Sequence, residues 1–233
     1  STREDNTEAQ RLITRALELD PQYAHAHAWT ACILGQSWAW GWCEDREATV
    51  AEIERQLAIA RGLDDNDSDV HRLLAAVALV RDNLDKVAYH QDRALGLNPN
   101  DDLIVVQQGE LLTWLGQGEE GIEWIRKAMR LNPFHPDRFW SHLGRAYFVA
   151  RRYAEAIEAV QHISAQTHQH WAFLAPCHAQ LGDAAAAEAQ VREVLKQVPD
   201  FNLREHVLPF LHYKRDSDLA HHREAMLKAG FRE

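Results

Sequence analysis

Apolar residues along most of the chain recur with the three-to-four-residue spacing of an amphipathic α-helix. Almost no segment alternates apolar and polar residues with the period of two that a β-strand needs. Short polar turns separate the apolar stretches, and they carry Asn98-Pro99, Asn132-Pro133 or Gly182. Because proline cannot continue a helix and glycine often ends one, the pattern predicts an all-α protein built from short helices.

One motif occurs three times, as RALELDPQYA, RALGLNPNDD and KAMRLNPFHP. The motif has a proline at the same position each time, namely Pro21, Pro99 and Pro133, so the three prolines share one phase of a repeat. Pro99 and Pro133 stand 34 residues apart. On this phase small residues fall where paired helices must cross, which lets their backbones approach. These residues are Ala31, Ala75, Gly109, Gly144 and Ala175 on the first helices, and Ala16, Ala60, Ala94 and Ala128 on the second helices.

The segment WSHLGRAY, with Trp140, Leu143, Gly144 and Tyr147, fits the signature W-x2-L-G-x2-Y. With the period near 34 residues, it resembles the tetratricopeptide (TPR) repeat family, in which two antiparallel helices form each repeat. The resemblance implies an α-α superhelix, a right-handed solenoid of antiparallel helix pairs.

The repeat phase predicts that residues 1–233 form one solenoid domain. We expect a half repeat at 1–23, which predicts that the natural chain extends upstream, and a long repeat with a tryptophan-rich insert at 24–67. Regular repeats follow at 68–101, 102–136, 137–167 and 168–201, and capping helices at 202–233.

Helix ends are also predicted. Asp101 or Asp102 and Asp137 are candidates for N-caps of the first helices of two repeats, and Asp216 or Ser217 for the last helix. Pro209 should break the helix before it, and Gly230 suits the C-terminal turn of the last helix.

The charge and cysteine content reduce the number of possible functions and compartments. Lys and Arg number 25 against 35 Asp and Glu, and the net charge of -10 opposes binding to nucleic acid or anionic lipid. Three cysteines without CxxC spacing favour a reduced, cytoplasmic compartment. No stretch is apolar enough for a membrane span.

In TPR solenoids the first helices line a concave face that binds protein or peptide partners. The phase places on that face Arg72, Leu79, Val106, Glu110, Thr113, Arg138, Ser141, Arg145, Phe148 and Gln169. Arg72 and Arg145 could grip an acidic peptide through bidentate bonds. The alternative, which we favour, is that each pairs with a neighbouring carboxylate.

Trp38, Trp40 and Trp42 form the tryptophan-rich insert, which we call the Trp insert. Clustered indoles are typical of binding hot spots, and they could dock an N-terminal domain of the same chain or a second protomer in a homodimer. The competing interpretation is that they extend the first helix of the long repeat and bury their rings against neighbouring helices.

The fourteen histidines do not have the i, i+4 spacing of a helical zinc pair, and no GxSxG, P-loop or GxGxxG string is present. The sequence therefore predicts no catalytic residue, no metal and no cofactor, and we expect a protein that is not an enzyme.

Three stretches extend the resemblance to the C-terminal TPR region of bacterial class III adenylate/guanylate cyclase-like proteins and related winged-helix regulators. They are SWAWGWCEDREA, the run from EEGIEWIRKAM to YAEAIEA, and LREHVLPFLHYKRDSDLAHHREAMLKAG. The resemblance implies a regulatory, scaffolding role in a bacterial signalling protein. A domain that senses a small-molecule effector is the alternative.

Overall fold

A computed structural model describes residues 2–233 of the chain, and these residues form thirteen α-helices, one short 3-10 turn and no β-strand. The predicted all-α fold is confirmed. Two compact units are present, of which the first ends at Asn100 and the second spans Asp101–Glu233. None of the described helices is long and apolar enough to cross a membrane.

The first unit contains α1 and two helix pairs. Its helices are α1 (Arg3–Leu19), α2 (Ala24–Ala39), α3 (Arg46–Leu63), α4 (Ser68–Val80) and α5 (Leu84–Leu97). Helix α2 packs on α3, and α4 packs on α5.

The second unit contains three helix pairs and a C-terminal segment. Its helices are α6 (Asp102–Trp114), α7 (Gly118–Leu131), α8 (Arg138–Val149), α9 (Tyr153–Gln161), α10 (His168–Gln180), α11 (Ala184–Gln197), α12 (Leu203–His206) and α13 (Asp216–Ala229), with the 3-10 turn at Leu208–Phe210. The pairs are α6 with α7, α8 with α9, and α10 with α11.

The second helices of the repeats end in the same way. In α1, α3, α5 and α7 the backbone N–H of the residue after the helix donates to the carbonyl of an alanine four residues earlier, and these alanines are Ala16, Ala60, Ala94 and Ala128. The repeated motif thus marks one structural position in α1, α5 and α7, because its proline cannot extend the helix.

Close crossing of paired helices is clearest between α6 and α7. A Cβ atom on Gly109 would lie 2.5 Å from Ile125 Cγ1 and 2.8 Å from the Gly121 carbonyl oxygen. Since a real Cβ never approaches other atoms so closely, glycine at position 109 is what allows the two backbones to meet.

Helix ends follow the predictions in part. The Asp101 side chain caps α6 by accepting from Leu103 N and Ile104 N, and Gly230 ends α13 with a φ of 106°. Asp137 is the N-cap residue of α8 as predicted, but its side chain makes no cap hydrogen bond, because the carboxylate accepts from the backbone N and the Oγ of Ser164 instead.

The last helix also differs from its prediction. The N-cap residue of α13 is Arg215, without a side-chain cap, and Asp216 and Ser217 lie inside the first turn. Pro209 lies in the 3-10 turn after α12 ends at His206, as expected of a residue that breaks a helix.

Candidate functional site

The predicted partner-binding residues of the second unit differ in exposure. Val106, Thr113 and Phe148 are buried, with at most 4% of each exposed, so they pack inside the unit. The others reach solvent, and we call them the open face: Glu110, Arg138, Ser141, Arg145 and Gln169. Residues 138, 141 and 145 share one side of α8, because a helix returns to the same side every three to four residues.

Glu110 is the electrostatic centre of the open face. Its Oε1 lies 3.4 Å from His142 Nδ1 and 3.6 Å from Arg145 Nη1. Burial alone would raise the pKa of Glu110, but His142 and Arg145 outweigh that effect and lower the pKa from 4.5 to about 2. Glu110 is therefore ionised at neutral pH. The Arg145 guanidinium also lies 4.6 Å from the centre of the Trp114 ring.

The C-terminal segment of the chain covers the C-terminal ends of α6 and α8. His212 and Tyr213 pack edge-on against Trp114, and the Lys214 N–H donates to the Trp114 carbonyl. Phe148 lies against His222 of α13. This coverage was not predicted, because the sequence indicated that α13 would shield the last repeat alone.

Helix α13 also packs on the last repeat. Met226 and Ala229 share a buried cluster with Ala172 and Ala179 of α10. The chain's own C-terminus thus occupies part of the surface that the repeat phase assigned to a partner, and the open face is the part that stays uncovered.

A buried hydrogen bond joins two parts of the C-terminal segment. His222 Nδ1 lies 2.9 Å from the Tyr213 hydroxyl, and burial raises the pKa of Tyr213. Burial, followed by the charges of Arg145, His221 and Arg151, lowers the pKa of His222 from 6.5 to about 3. His222 is therefore neutral in the folded protein at neutral pH.

In the first unit, Arg72 and Leu79 are the predicted partner-binding residues. Arg72 is 7% exposed, and its Nε donates to Asp69 Oδ1 at 2.7 Å. Leu79 is half-buried. Arg72 and Arg145 each lie beside a carboxylate, which is the arrangement that we favoured over a free grip on an acidic peptide.

The Trp insert is partly inside α2 and partly exposed. Trp38 belongs to the last turn of α2, where the Arg46 guanidinium lies 4.6 Å from its ring centre. Trp40 is 45% exposed and stacks on Trp42 at 5.9 Å with an interplanar angle of 14°. The insert thus extends the helix and also presents an aromatic surface.

His25, Asp67 and Asp69 form the one group of three possible metal ligands among residues 2–233. The His25 ring already has two partners, since Nδ1 lies 2.7 Å from Asp67 Oδ2 and Nε2 lies 2.6 Å from Trp29 Nε1. An indole N–H can only donate, so Nε2 accepts and Nδ1 carries the proton. A metal ion at Nδ1 would have to displace that proton, and these contacts instead describe a structural hydrogen-bond relay.

A second histidine group borders a cavity of about 330 Å³ in the first unit. His71 Nε2 donates to the Asp65 carbonyl at 2.9 Å, so His71 Nδ1 accepts from His90 Nδ1 at 3.0 Å. Burial, then the charges of His71, Arg61 and Lys86, lowers the pKa of His90. The walls of the cavity are Arg61, Asp65, His71, Tyr89 and His90. Sequence reasoning missed this pair, because its members are nineteen residues apart and lie on different helices.

No family model matches the sequence, and a search of curated proteins gives no match. Solved structures do match. A chain in the crystal structure of the APC/C hetero-tetramer Cut9-Hcn1 matches 97% of this chain with a TM-score of 0.71 and 15% identity, and this chain spans 40% of that one.

Two further structures match most of both chains. PilF from Pseudomonas aeruginosa matches 85% of this chain and 87% of its own, with 16% identity and a TM-score of 0.57. YrrB, described as a TPR protein with an unusual peptide-binding site, matches 84% of this chain and 95% of its own, with 18% identity and a TM-score of 0.52. At these identities the likeness establishes the fold alone, and that fold is the all-α helical repeat of the TPR proteins.

Proposed function

We propose that the chain is a non-catalytic protein-interaction module that binds a protein or peptide through the open face. The observation that carries this proposal is that the open face keeps charged and amide side chains uncovered beside a segment that closes the neighbouring surface. The similarity in fold to YrrB, a TPR protein with a peptide-binding site, supports it.

The chemistry of the open face favours an acidic group on the partner. Arg145 pairs with Glu110 at 3.6 Å, but a guanidinium has five N–H donors, so Arg145 can also donate to a partner's carboxylate. Arg138 adds a second exposed guanidinium one turn from Ser141. Charge-assisted bonds of this kind are stronger than neutral ones.

The test is affinity capture from lysate with the immobilised chain, followed by a binding measurement on the captured protein. We expect Arg138→Glu to weaken binding about tenfold or more, the equivalent of about 1.4 kcal/mol. The matched control is Arg192→Glu, because Arg192 is an exposed arginine of α11 paired with Glu188. Equal binding by both variants and the wild type would contradict the proposal.

The finer proposal is that the chain serves as the C-terminal regulatory region of a bacterial signalling or transcription-regulatory protein. The three sequence stretches that resemble cyclase-associated TPR regions support it. The partner would then be an N-terminal domain of the same protein, docked on the open face or on the Trp insert. If it docks on the Trp insert, replacing Trp38, Trp40 and Trp42 by Ser should abolish that association and leave the helix content unchanged, as circular dichroism would show.

A second candidate function is the sensing of a small molecule, and the cavity beside His71 and His90 favours it. Arg61 in the wall of this cavity offers a cation to a small anionic ligand. A thermal-shift screen with anionic metabolites should give a stabilisation that Arg61→Gln abolishes. Arg55→Gln is the control, because Arg55 lies on the same helix but pairs with Glu52. A shift that both variants retain would exclude this cavity.

A further inference from the structure

The cavity of the first unit is bordered by two histidines whose protons are fixed by their partners. His71 Nε2 lies 2.9 Å from the Asp65 carbonyl oxygen, which can only accept, so this nitrogen carries the proton of the neutral ring. His71 Nδ1 then accepts from His90 Nδ1 at 3.0 Å. Because a neutral imidazole has one N–H group, His90 Nε2 carries no proton and has a free lone pair.

His90 Nε2 is available to a ligand. Among residues 2–233, none forms a hydrogen bond with this nitrogen, and it reaches solvent. Burial, followed by the charges of His71, Arg61 and Lys86, lowers the pKa of His90, so the lone pair is present at neutral pH. An imidazole lone pair accepts from an N–H or O–H group and repels an anionic oxygen. A ligand at this position must therefore offer a hydrogen-bond donor.

The walls of the cavity carry charges of both signs. Arg61 is exposed and forms no ion pair within the part of the chain that the structure describes. Asp65 is also exposed, and its Oδ1 lies 3.7 Å from His71 Nε2. A ligand that carries only a carboxylate gains the contact with Arg61, but it meets the Asp65 carboxylate and the His90 lone pair. A ligand with both a negative and a positive group complements all three side chains.

We propose that this cavity binds the head group of a free α-amino acid. Arg61 holds the carboxylate of the amino acid, and the ammonium group donates to the Asp65 carboxylate and to His90 Nε2. An ammonium group has three N–H donors, so it can serve both acceptors at once. The inference rests on the second candidate function, because Arg61 must hold an anionic group there too, and it adds the class of ligand.

The size of the cavity agrees with a single amino acid. Its volume of about 330 Å³ lies at the lower end of the roughly 300–1,000 Å³ of small-molecule sites. Tyr89 is 62% exposed, and its ring meets the His90 ring edge-on with 5.0 Å between the ring centres. The Tyr89 ring thus offers an apolar surface in the wall to the side chain of the amino acid.

The experiment is an NMR titration of the full chain with each of the standard L-amino acids at millimolar concentration. Each amino acid that binds is then compared with its analogue without the amino group, which for alanine is propionate. The analogue without the carboxylate, which for alanine is ethylamine, completes the set. We expect both analogues to bind about tenfold more weakly or worse, because each loses one of the two charged contacts.

Two variants assign the preference to the cavity. Asp65→Asn removes the carboxylate but keeps the backbone carbonyl that binds His71, so the amino acid should lose its advantage over the analogue without the amino group. The matched control is Asp92→Asn, because Asp92 is an exposed carboxylate of α5 outside the cavity wall, and it should keep the wild-type preference. Long-range 1H–15N spectra should show an unprotonated His90 Nε2 in both variants.

The outcomes separate this inference from the candidate function on which it rests. Equal binding of an amino acid and its analogue without the amino group, abolished by Arg61→Gln, would overturn the inference and leave the sensing of anions in place. Absence of binding by every amino acid and by every anionic metabolite would overturn both. A preference for the amino acid that persists in Asp65→Asn, or a proton on His90 Nε2, would contradict the inference alone.

Discussion

The helix pair α6–α7 and the helix pair α4–α5 differ in the residues at which their two helices cross. At the crossing, Gly109 and Gly121 of the second unit correspond to Ala75 and Val87 of the first, 34 residues earlier. The glycines bring the backbones of α6 and α7 into contact, whereas Ala75 and Val87 place buried side chains at the crossing of α4 and α5. The repeat period therefore sets where helices cross, and the residues at the crossing set how closely they approach.

A second difference lies one turn from the crossing. The first unit buries the hydrogen-bonded pair His71 and His90, and the second unit has Val105 and Trp124 at the same repeat positions. The first pair is joined by a buried polar contact, whereas the second unit has two apolar side chains at these positions. We therefore expect the stability of the two units to respond differently to substitution, to pH and to loss of a hydrogen-bond partner at these positions.

The largest expected effect is at the glycine crossing. Gly109→Ala should destabilise the second unit by about 3 kcal/mol, because the new Cβ meets the Gly121 backbone, which cannot move away without separating the helices. Gly96→Ala is the control, since a Cβ there meets nothing within 4 Å, and it should stabilise α5 by about 0.5 to 1 kcal/mol. Urea unfolding measures the change in free energy of unfolding for both variants, and hydrogen exchange in α6 and α7 shows where Gly109→Ala acts. Similar values for the two variants would contradict the close approach.

The histidine pair gives the next largest effect. His90→Trp alone leaves the buried Nδ1 of His71 without its donor and should cost about 1 to 3 kcal/mol. Adding His71→Val installs the residue pair of the second unit and should recover most of that loss. A double-mutant cycle measures the coupling. Additive effects of the two substitutions would show that the hydrogen bond contributes little.

The pH dependence of stability separates the buried His222 from the ionised Glu110. His222 is neutral when folded, with a pKa of about 3 against 6.5 when unfolded, so the unfolded chain binds more protons below pH 6.5. Stability should therefore fall as pH decreases below 6.5, by at most about 1.4 kcal/mol per pH unit for one such group.

Glu110 changes the stability in a lower pH range than His222 does. Its folded pKa of about 2 against 4.5 means that its contribution is complete above pH 4.5 and is lost as pH falls toward 2. Urea titrations between pH 4.5 and 6.5 should thus show a weaker pH dependence in His222→Gln than in the wild type. Glu110→Gln should leave that window unchanged. An unaltered pH dependence in His222→Gln would mean that His222 is not held neutral.

The smallest effect concerns the helix caps. Asp101→Ala removes the cap of α6 and should cost about 1 kcal/mol, with faster hydrogen exchange in the first turn of that helix. Asp137→Ala removes no cap and should leave exchange in the first turn of α8 unchanged, with its effect at Ser164 instead. Equal changes in the first turns of both helices would contradict this difference.

The sequence by itself determined the repeat. The 34-residue phase, the prolines and the small residues at the crossings identify the helix pairs and the residues that pack between them. These signals are local or periodic, because helix ends and helix crossings depend on residue type at short spacing. Among the predicted binding residues, Glu110 and Arg145 are half-buried and reach solvent, and their role in binding stays a prediction.

Tertiary structure alone decided which parts of that surface stay accessible. The contact between Trp114 and Tyr213 joins residues with no periodic relation in the sequence. The hydrogen bond between His71 and His90 depends on how closely their two helices pack. The position of the C-terminal segment over α6 and α8 depends on the burial of aromatic rings and a neutral histidine, which follows from three-dimensional packing and not from residue spacing.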